Sequence, residues 1–338
     1  MKGKEFHQRE LDDFLIKLDG TENKSRLGAN TLIGASMAFA RAAAGEQGVP
    51  LFRYLGNSMG QNLFSMPIPA FNVLNGGKHA DNGIAVQEFM LIPVSPARIA
   101  KRIEVIAGVI AALKKKLRAQ GFETGVGDEG GFAPRLGSTE EALDLLVSAI
   151  TEAGYTTDDI KIGIDVAASG LYREGVYALD PKDSPRTLGS AEMLVWYEEL
   201  SRRYPLISIE DPFAEDDWEN FAELRKKLAG RVRVVGDDLT VTSAARIEEG
   251  ARRGAVDTVI IKPNQVGTLT ETFAAIAAAR KAGLELFASH RSGETADAFI
   301  ADLAVGASCE YIKAGSLARG ERVCKYNRLV EIEEELAS

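Results

Sequence analysis

The sequence predicts an α/β fold: a TIM-like βα-barrel preceded by a mostly helical N-terminal portion. Three observations predict it. Apolar runs recur at a spacing of roughly 25 residues with amphipathic helical segments between them, the pattern of strands alternating with helices in a parallel sheet. Each run ends on charged or polar residues, as strands do when they deliver side chains to the C-terminal mouth of a barrel. The competing open, doubly wound sheet needs a glycine-rich phosphate-binding turn after its first strand, and none is there.

Residues 1–63 read as helical, with an Ala-, Leu- and Met-rich stretch over residues 30–44 that stops near Gly45, Gly48 and Pro50. This portion has few strand-like runs. Residues 66–75 and 85–92 read as two strands forming a hairpin across a glycine-bearing loop. Two helices follow. The first carries the stripe Ile99, Ile103, Ile106, Ile110, Leu113 and Leu117 and closes with Lys114, Lys115, Lys116 and Gly121, a favourable charge and cap. The second opens with a capping box from Ser138 to Glu141 and buries Leu143, Leu146, Val147 and Ile150. The loop between them, residues 125–134, is glycine-rich and carries the adjacent acids Asp128 and Glu129; taken alone it reads as well as a solvated turn as a functional loop.

Six further strands come next. Residues 160–164 lead into Asp165, 206–209 into Glu210 and Asp211, and 232–235 into Gly236, Asp237 and Asp238. Residues 258–261 lead into Lys262, 284–288 into Ser289 and His290, and 309–312 into Lys313. Hairpin, two helices and six βα units supply eight strands, enough to close a barrel. The division expected is an N-terminal part over 1–63 and a barrel over 64–338 with its site at the C-terminal mouth.

Bulk properties narrow the class. A hydrophobic content of 45% in 338 residues supports a large core, and no apolar run approaches the length of a membrane span. A net charge of −9 without a long basic run argues against nucleic acid. The charged start is unlike a signal peptide, so a cytoplasmic location is expected, with Cys309 and Cys324 as reduced, structural thiols.

Asp165, Glu210 and Asp237 end three consecutive strands and so converge at one mouth. Two unit charges about 4 Å apart repel by roughly 4 kcal/mol at an effective dielectric of 20, so protons or a metal must relieve the cluster. All-oxygen ligation with room for water favours Mg²⁺ over Zn²⁺. Lys262 and Lys313 face the same mouth. A nearby divalent ion and a second lysine disfavour the ammonium form and make one of the two a usable base. Proton abstraction beside a carboxylate by a lysine, with Mg²⁺ holding the product charge, is an established pattern for such sites.

These residues carry a resemblance. The segments Asn75-Gly76-Gly77-Lys78-His79, Gln87-Glu88-Phe89, Gly127-Asp128-Glu129-Gly130-Gly131, Asp165-Val166-Ala167-Ala168-Ser169 and Ser208-Ile209-Glu210-Asp211-Pro212-Phe213 are part of it. So are Asp237-Asp238-Leu239-Thr240-Val241-Thr242, residues 262–269 and 289–295, and Ile312-Lys313. In this order, over nearly the whole chain, the sequence resembles the enolase family. The resemblance implies Asp165, Glu210 and Asp237 as Mg²⁺ ligands, with a second ion bound through substrate oxygens. It implies Lys262 as the base that takes the C2 proton of 2-phosphoglycerate and Glu129 as the acid for the departing C3 hydroxyl, with Glu88 beside it. Arg291 and Ser292 would bind phosphate, Lys313 the substrate carboxylate, and His79 and His290 would line the pocket. A homodimer or an assembly of dimers is implied as well. The sequence departs from the family at Gly170, where Glu is usual, and at Ala314, where Thr is common; Ala288 precedes the Ser289-His290-Arg291 segment.

The family's N-terminal domain begins several dozen residues earlier, with a mobile serine-bearing loop that closes over substrate. The expectation is therefore a truncated N-terminal remnant and a barrel without its lid, which admits water and positions substrate less well. Two further readings stand beside Mg²⁺-dependent dehydration of 2-phosphoglycerate. One is a dehydratase of a related phosphate- or phosphonate-bearing acid; the other is a catalytically weak, enolase-like binding protein.

Overall fold

The computed structural model describes residues 5–80, 82–179 and 186–337. Three helices open the chain: α1 (Gln8–Asp19), α2 (Ala29–Gln47) and α3 (Leu51–Ser58). The hairpin β1 (Ile68–Asn75) and β2 (Glu88–Pro93) comes after them, then α4 (Ile99–Ala119), α5 (Thr139–Glu152) and β3 (Ile160–Asp165). Three short strands come next: β4 (Tyr172–Arg173), β5 (Val176–Ala178) and β6 (Thr187–Leu188). The remaining units are α6 (Ser190–Arg203), β7 (Leu206–Glu210), α7 (Trp218–Leu228), β8 (Arg233–Gly236), α8 (Ala244–Arg253) and β9 (Thr258–Ile261). The chain ends with α9 (Pro263–Val266), α10 (Leu269–Lys281), β10 (Glu285–Ser289), α11 (Phe299–Gly306), β11 (Tyr311–Lys313) and α12 (Gly320–Ala337). No helix among the described residues is long and apolar enough to cross a membrane.

Among the described residues, eight strands close in the order β1-β11-β10-β9-β8-β7-β3-β2. The barrel is not wholly parallel: β2 runs antiparallel to both β1 and β3, because the hairpin turn brings it straight back. The consequence is functional. In an antiparallel strand the first residue, not the last, lies at the mouth, so Glu88 at the start of β2 pairs with Asp165 at the end of β3. Asp165 in turn pairs with Glu210. Register therefore sets three acids side by side on one rim.

The barrel interior is filled below that rim by Ala70, Met90, Ile92, Val235, Ile260, Phe287 and Tyr311, which exclude water from the floor of the site. A larger core lies between strands and helices. In α4 the buried face is Ile99, Val105, Ile106, Val109, Leu113 and Leu117, while Ile103 and Ile110 are only partly buried. The apolar stripe read from sequence is thus turned slightly about the helix axis. Each fully buried side chain of this kind contributes about 1.5–3 kcal/mol. The capping pattern at α5 is also half realised: Ser138 accepts from Glu141 N–H at 3.1 Å, but the Glu141 carboxylate reaches the amide of Gly137 at 2.6 Å. The antiparallel sheet β4-β5-β6, inserted after β3, went unpredicted because its strands are two or three residues long.

The N-terminal helices are fastened to the barrel. Asp12 accepts from the amide and hydroxyl of Thr270 at 2.8 and 2.7 Å, placing an acid at the positive end of α10. Ser36 Oγ accepts from Leu269 N–H at 3.1 Å. α3 lies against α11 so closely that a Cβ on Gly306 would stand 2.7 Å from the Phe52 carbonyl oxygen and 3.2 Å from the Gly56 nitrogen. Gly306→Ala must force the two helices apart and is expected to cost about 1–3 kcal/mol. A lowered urea midpoint checks this; an unchanged midpoint would show that α3 can lift from the barrel freely.

Candidate active site

The strand ends and the loops beside them enclose a cavity of about 400 Å³ at the mouth of the barrel. Its walls include every residue singled out from sequence except Glu210, which is fully covered beneath it.

One wall is ionic. Lys313, at the end of β11, is 2% exposed and donates to Glu210 Oε1 at 2.7 Å and Asp165 Oδ2 at 3.1 Å, with Glu88 Oε2 at 3.6 Å. Burial disfavours its charge, but Glu210, Glu88, Asp165 and Asp237 overcome this and push its pKa well above the usual lysine value. Lys262 follows β9 and hydrogen-bonds Asp237. Burial again opposes the ammonium, Asp237 favours it and Lys313 disfavours it; the net effect is a raised pKa. Asp237 is correspondingly lowered, against burial, by Lys262 and Lys313. Glu210 goes the other way, raised well above the carboxylate range by burial and by Asp165.

Adjoining it is a carboxyl–imidazole cluster. Glu88, Glu129 and His79 converge, with His79 Nδ1 3.7 Å from an oxygen of each acid. His290 Nε2 lies 3.4 Å from Glu129 Oε2, which also accepts from Asn72 Nδ2 at 2.9 Å. Burial and the adjacent Glu129 push Glu88 well up. Glu129 is equally buried, yet it is held well below the usual range by His290, through charge when the ring is protonated and through its hydrogen bond, and by the charges of His79 and Lys313. Two neighbouring carboxyls with pKa values pushed apart hold one proton between them over a wide pH window.

The glycine-rich loop is no solvated turn. Glu129, Gly130 and Gly131 are buried, and Phe132 donates to the Val73 carbonyl at 2.9 Å, pinning the loop to β1. A Cβ at Gly130, where φ is +86°, would meet the Ala318 carbonyl at 2.7 Å; at Gly131 it would meet Asn75 Oδ1 at 2.6 Å. The glycines let Glu129 approach the rim. Arg291 and Ser292, by contrast, are exposed at the cavity's edge; Arg291 donates to Asn264 Oδ1 at 3.0 Å.

Asp165, Glu210 and Asp237 share the wall but do not crowd together. Among the described residues, the groups of three potential ligand atoms within 4.8 Å are His79, Glu88 and Glu129, and Asp211, Asp237 and Asp238. Lys313 bridges Asp165 and Glu210, and Lys262 is hydrogen-bonded to Asp237. A hard divalent cation nevertheless fits this wall. Its donors are carboxylate oxygens, and Glu210 Oε2 is buried without a hydrogen-bond partner. Sequence reasoning missed the residues that hold these acids. Asp211, itself buried, accepts from the amides of Asp237 and Asp238 at 2.9 and 2.7 Å. Gln265 donates to Asp237 Oδ1 at 3.1 Å, and Arg322 contacts His290 from below. Asp211 was adjacent to a chosen residue; nothing local marked Gln265, Asn72 or Arg322.

Comparison with known proteins agrees with the geometry. The family model described as "Enolase, C-terminal TIM barrel domain" matches residues 63–338, and "Enolase, N-terminal domain" matches residues 1–55. A curated relative, "Enolase" of Acidothermus cellulolyticus, is 50% identical over 330 residues, covering 97% of this chain and 75% of the relative. With both domain models matched in order around one acid–amine cavity, the chain belongs to the enolase family: it is a lyase of the phosphopyruvate hydratase type, and the family implies a divalent metal and a small phosphorylated acid as substrate.

Proposed function

We propose that this chain catalyses the Mg²⁺-dependent, reversible dehydration of 2-phospho-D-glycerate to phosphoenolpyruvate, in the cytoplasm and as a homodimer or an assembly of dimers, as is usual in this family. The observation that carries the reaction is the make-up of the cavity: buried Lys313 and partly buried Lys262 at the strand ends, and beside them the buried carboxyls of Glu88 and Glu129. A β-elimination needs a base at C2 and an acid at the C3 hydroxyl, and the lysines and the carboxyl pair supply one each.

Asp165, Glu210 and Asp237 are the residues assigned to hold Mg²⁺, which supplies positive charge against the two negative charges that a deprotonated substrate carboxylate carries. The two lysines are not equivalent. Lys262 has Asp237 as its hydrogen-bonded carboxylate; once that acid is committed to a cation, burial and Lys313 both favour loss of the Lys262 proton. Lys313 keeps Glu88 within 3.6 Å, outside the assigned ligand set, and remains the cation that faces the substrate carboxylate. Lys262 is therefore the base. Glu129 is the group at the departing hydroxyl, and the proton it passes on is drawn from Glu88, the partner whose pKa is raised. Arg291 and Ser292, at the open edge, receive the phosphate, for which a guanidinium fork is suited.

Turnover of 2-phosphoglycerate, followed as phosphoenolpyruvate absorbance, should vanish with EDTA and return with added Mg²⁺. Metal-independent turnover would remove the three acids from their assigned role. Lys262→Ala should stop exchange of the C2 proton with solvent deuterium, whereas exchange at the parent rate would transfer the base to another residue. Glu129→Gln should lower dehydration by about 10²–10⁴-fold while C2 exchange continues; parallel loss of both would show that Glu129 does not act on the leaving group alone.

A further inference from the structure

Under the mouth, α12 presents a cation for which the reaction above has no use. Arg322 is 1% exposed, and the hydrogen bonds of its guanidinium go to neutral acceptors. Nη1 lies 2.6 Å from His290 Nδ1 and donates to the Arg291 carbonyl at 2.8 Å; Nη2 donates to the carbonyls of Ser292 at 2.6 Å and Asp128 at 3.0 Å. Nε is buried with no partner. A buried charge held this way is costly, and packing alone does not call for it.

A guanidinium only donates, so His290 Nδ1 must offer it a lone pair. The ring's proton is then on Nε2, the nitrogen 3.4 Å from Glu129 Oε2. We infer that Arg322 is a positioning residue: it fixes His290 as the neutral Nε2–H tautomer aimed at Glu129, and it spaces the loop carrying Glu129 from the loop carrying Arg291 and Ser292. The tautomer follows from the contacts alone; its effect on turnover rests on the dehydration reading.

The effect concerns the proton on Glu129. An imidazolium beside this acid would hold it ionised by direct charge attraction and make it a poor donor. A neutral N–H donor orients the carboxyl yet lets it cycle between its two forms. Burial, with Arg322 and Lys313 adding to it, pushes the His290 pKa below its ordinary value in spite of Glu129, which agrees with a neutral ring. The same guanidinium holds the carbonyl of Asp128, next to Glu129, and that of Ser292, so the acid and the phosphate site share one brace.

Long-range proton–nitrogen correlation on the Mg²⁺-loaded protein with ¹⁵N-histidine reads the tautomer directly, with His290 assigned by its disappearance in His290→Gln. The parent should show Nε2 protonated and Nδ1 bare at neutral pH. An Nδ1–H ring or an imidazolium there overturns the assignment, whether or not any Arg322 variant folds. In Arg322→Met the ring should become a tautomer mixture and kcat for dehydration should fall on the order of 100-fold, while Lys262-dependent C2 exchange stays at the parent rate. Unchanged tautomer with parallel loss of exchange and dehydration would make Arg322 a structural residue only. A parent with the Nε2–H ring but no turnover of 2-phosphoglycerate would sink the proposed reaction and leave the Arg322 assignment standing.

Discussion

The mouth of this barrel is governed by charge compensation in a place where water cannot help. Glu88, Asp165 and Glu210 are neighbours by strand register and are all nearly inaccessible, at 2%, 3% and 1% exposure. Charges packed this closely repel by several kcal/mol per pair even at a generous effective dielectric. Lys313 answers the cluster from across the barrel, and Lys262 answers Asp237. The arrangement has an exchangeable quality: each ammonium occupies a position that another cation beside the same acids would contest. On the proposed assignment, binding of a divalent ion and release of a lysine from its carboxylate would be two aspects of one electrostatic event.

That coupling needs the acids to arrive by separate routes. Glu88 reaches the rim only because β2 is reversed; a parallel strand there would bring its other end, with Pro93, to the mouth. Glu129 comes from no strand at all but from a loop whose glycines tolerate backbone contact that a side chain would prevent. Glu88 and Glu129 consequently meet without belonging to the same element, and their environments differ enough to split their affinities for a proton. His79 and His290 meet Glu129 from two further directions.

The strand-end residues were legible because periodicity fixes where a strand stops, and the residues just past the stop lie at the mouth. Lys262, His290 and Lys313 were found that way, and so was the barrel. The reversal of β2 was implicit in the hairpin, but its effect on Glu88 was not, since alternation gives a strand's faces and not its direction. The loop carrying Glu129 remained ambiguous because glycine richness reports backbone freedom whether the loop packs or floats. Only the Asn75 and Ala318 contacts decide between the two. Asn72 sits in an apolar strand and Arg322 in an ordinary amphipathic helix; their partners lie 57 and 32 residues away in sequence, so no local pattern reports them. The sequence placed the acids and the two lysines at one mouth, but which amine meets which acid depends on side-chain reach across the barrel and is seen only in the fold.

The groups that sequence patterns do not reveal are those that turn placement into orientation. Asp211 shows the difference most plainly. Burial and the charge of Asp237 push its pKa well up, while the backbone amides it accepts from pull against this, so electrostatic comfort does not explain it. Its backbone is left-handed at φ 42°, which costs free energy in any residue but glycine. What it achieves is a fixed turn after β8: both amides are tied down, and the Asp237 carboxylate is left to face Lys262 and Gln265. Arg322 does for His290 what Asp211 does for Asp237. In both cases a buried charged group commits its hydrogen bonds to the backbone or ring of a site residue and so fixes the direction in which that residue's remaining functional atom points. A variant that kept every strand-end acid and lysine but lost these two supports would retain the composition of the site without its aim, and the proposed elimination depends on aim, since its base and its acid must act on adjacent carbons of a single substrate.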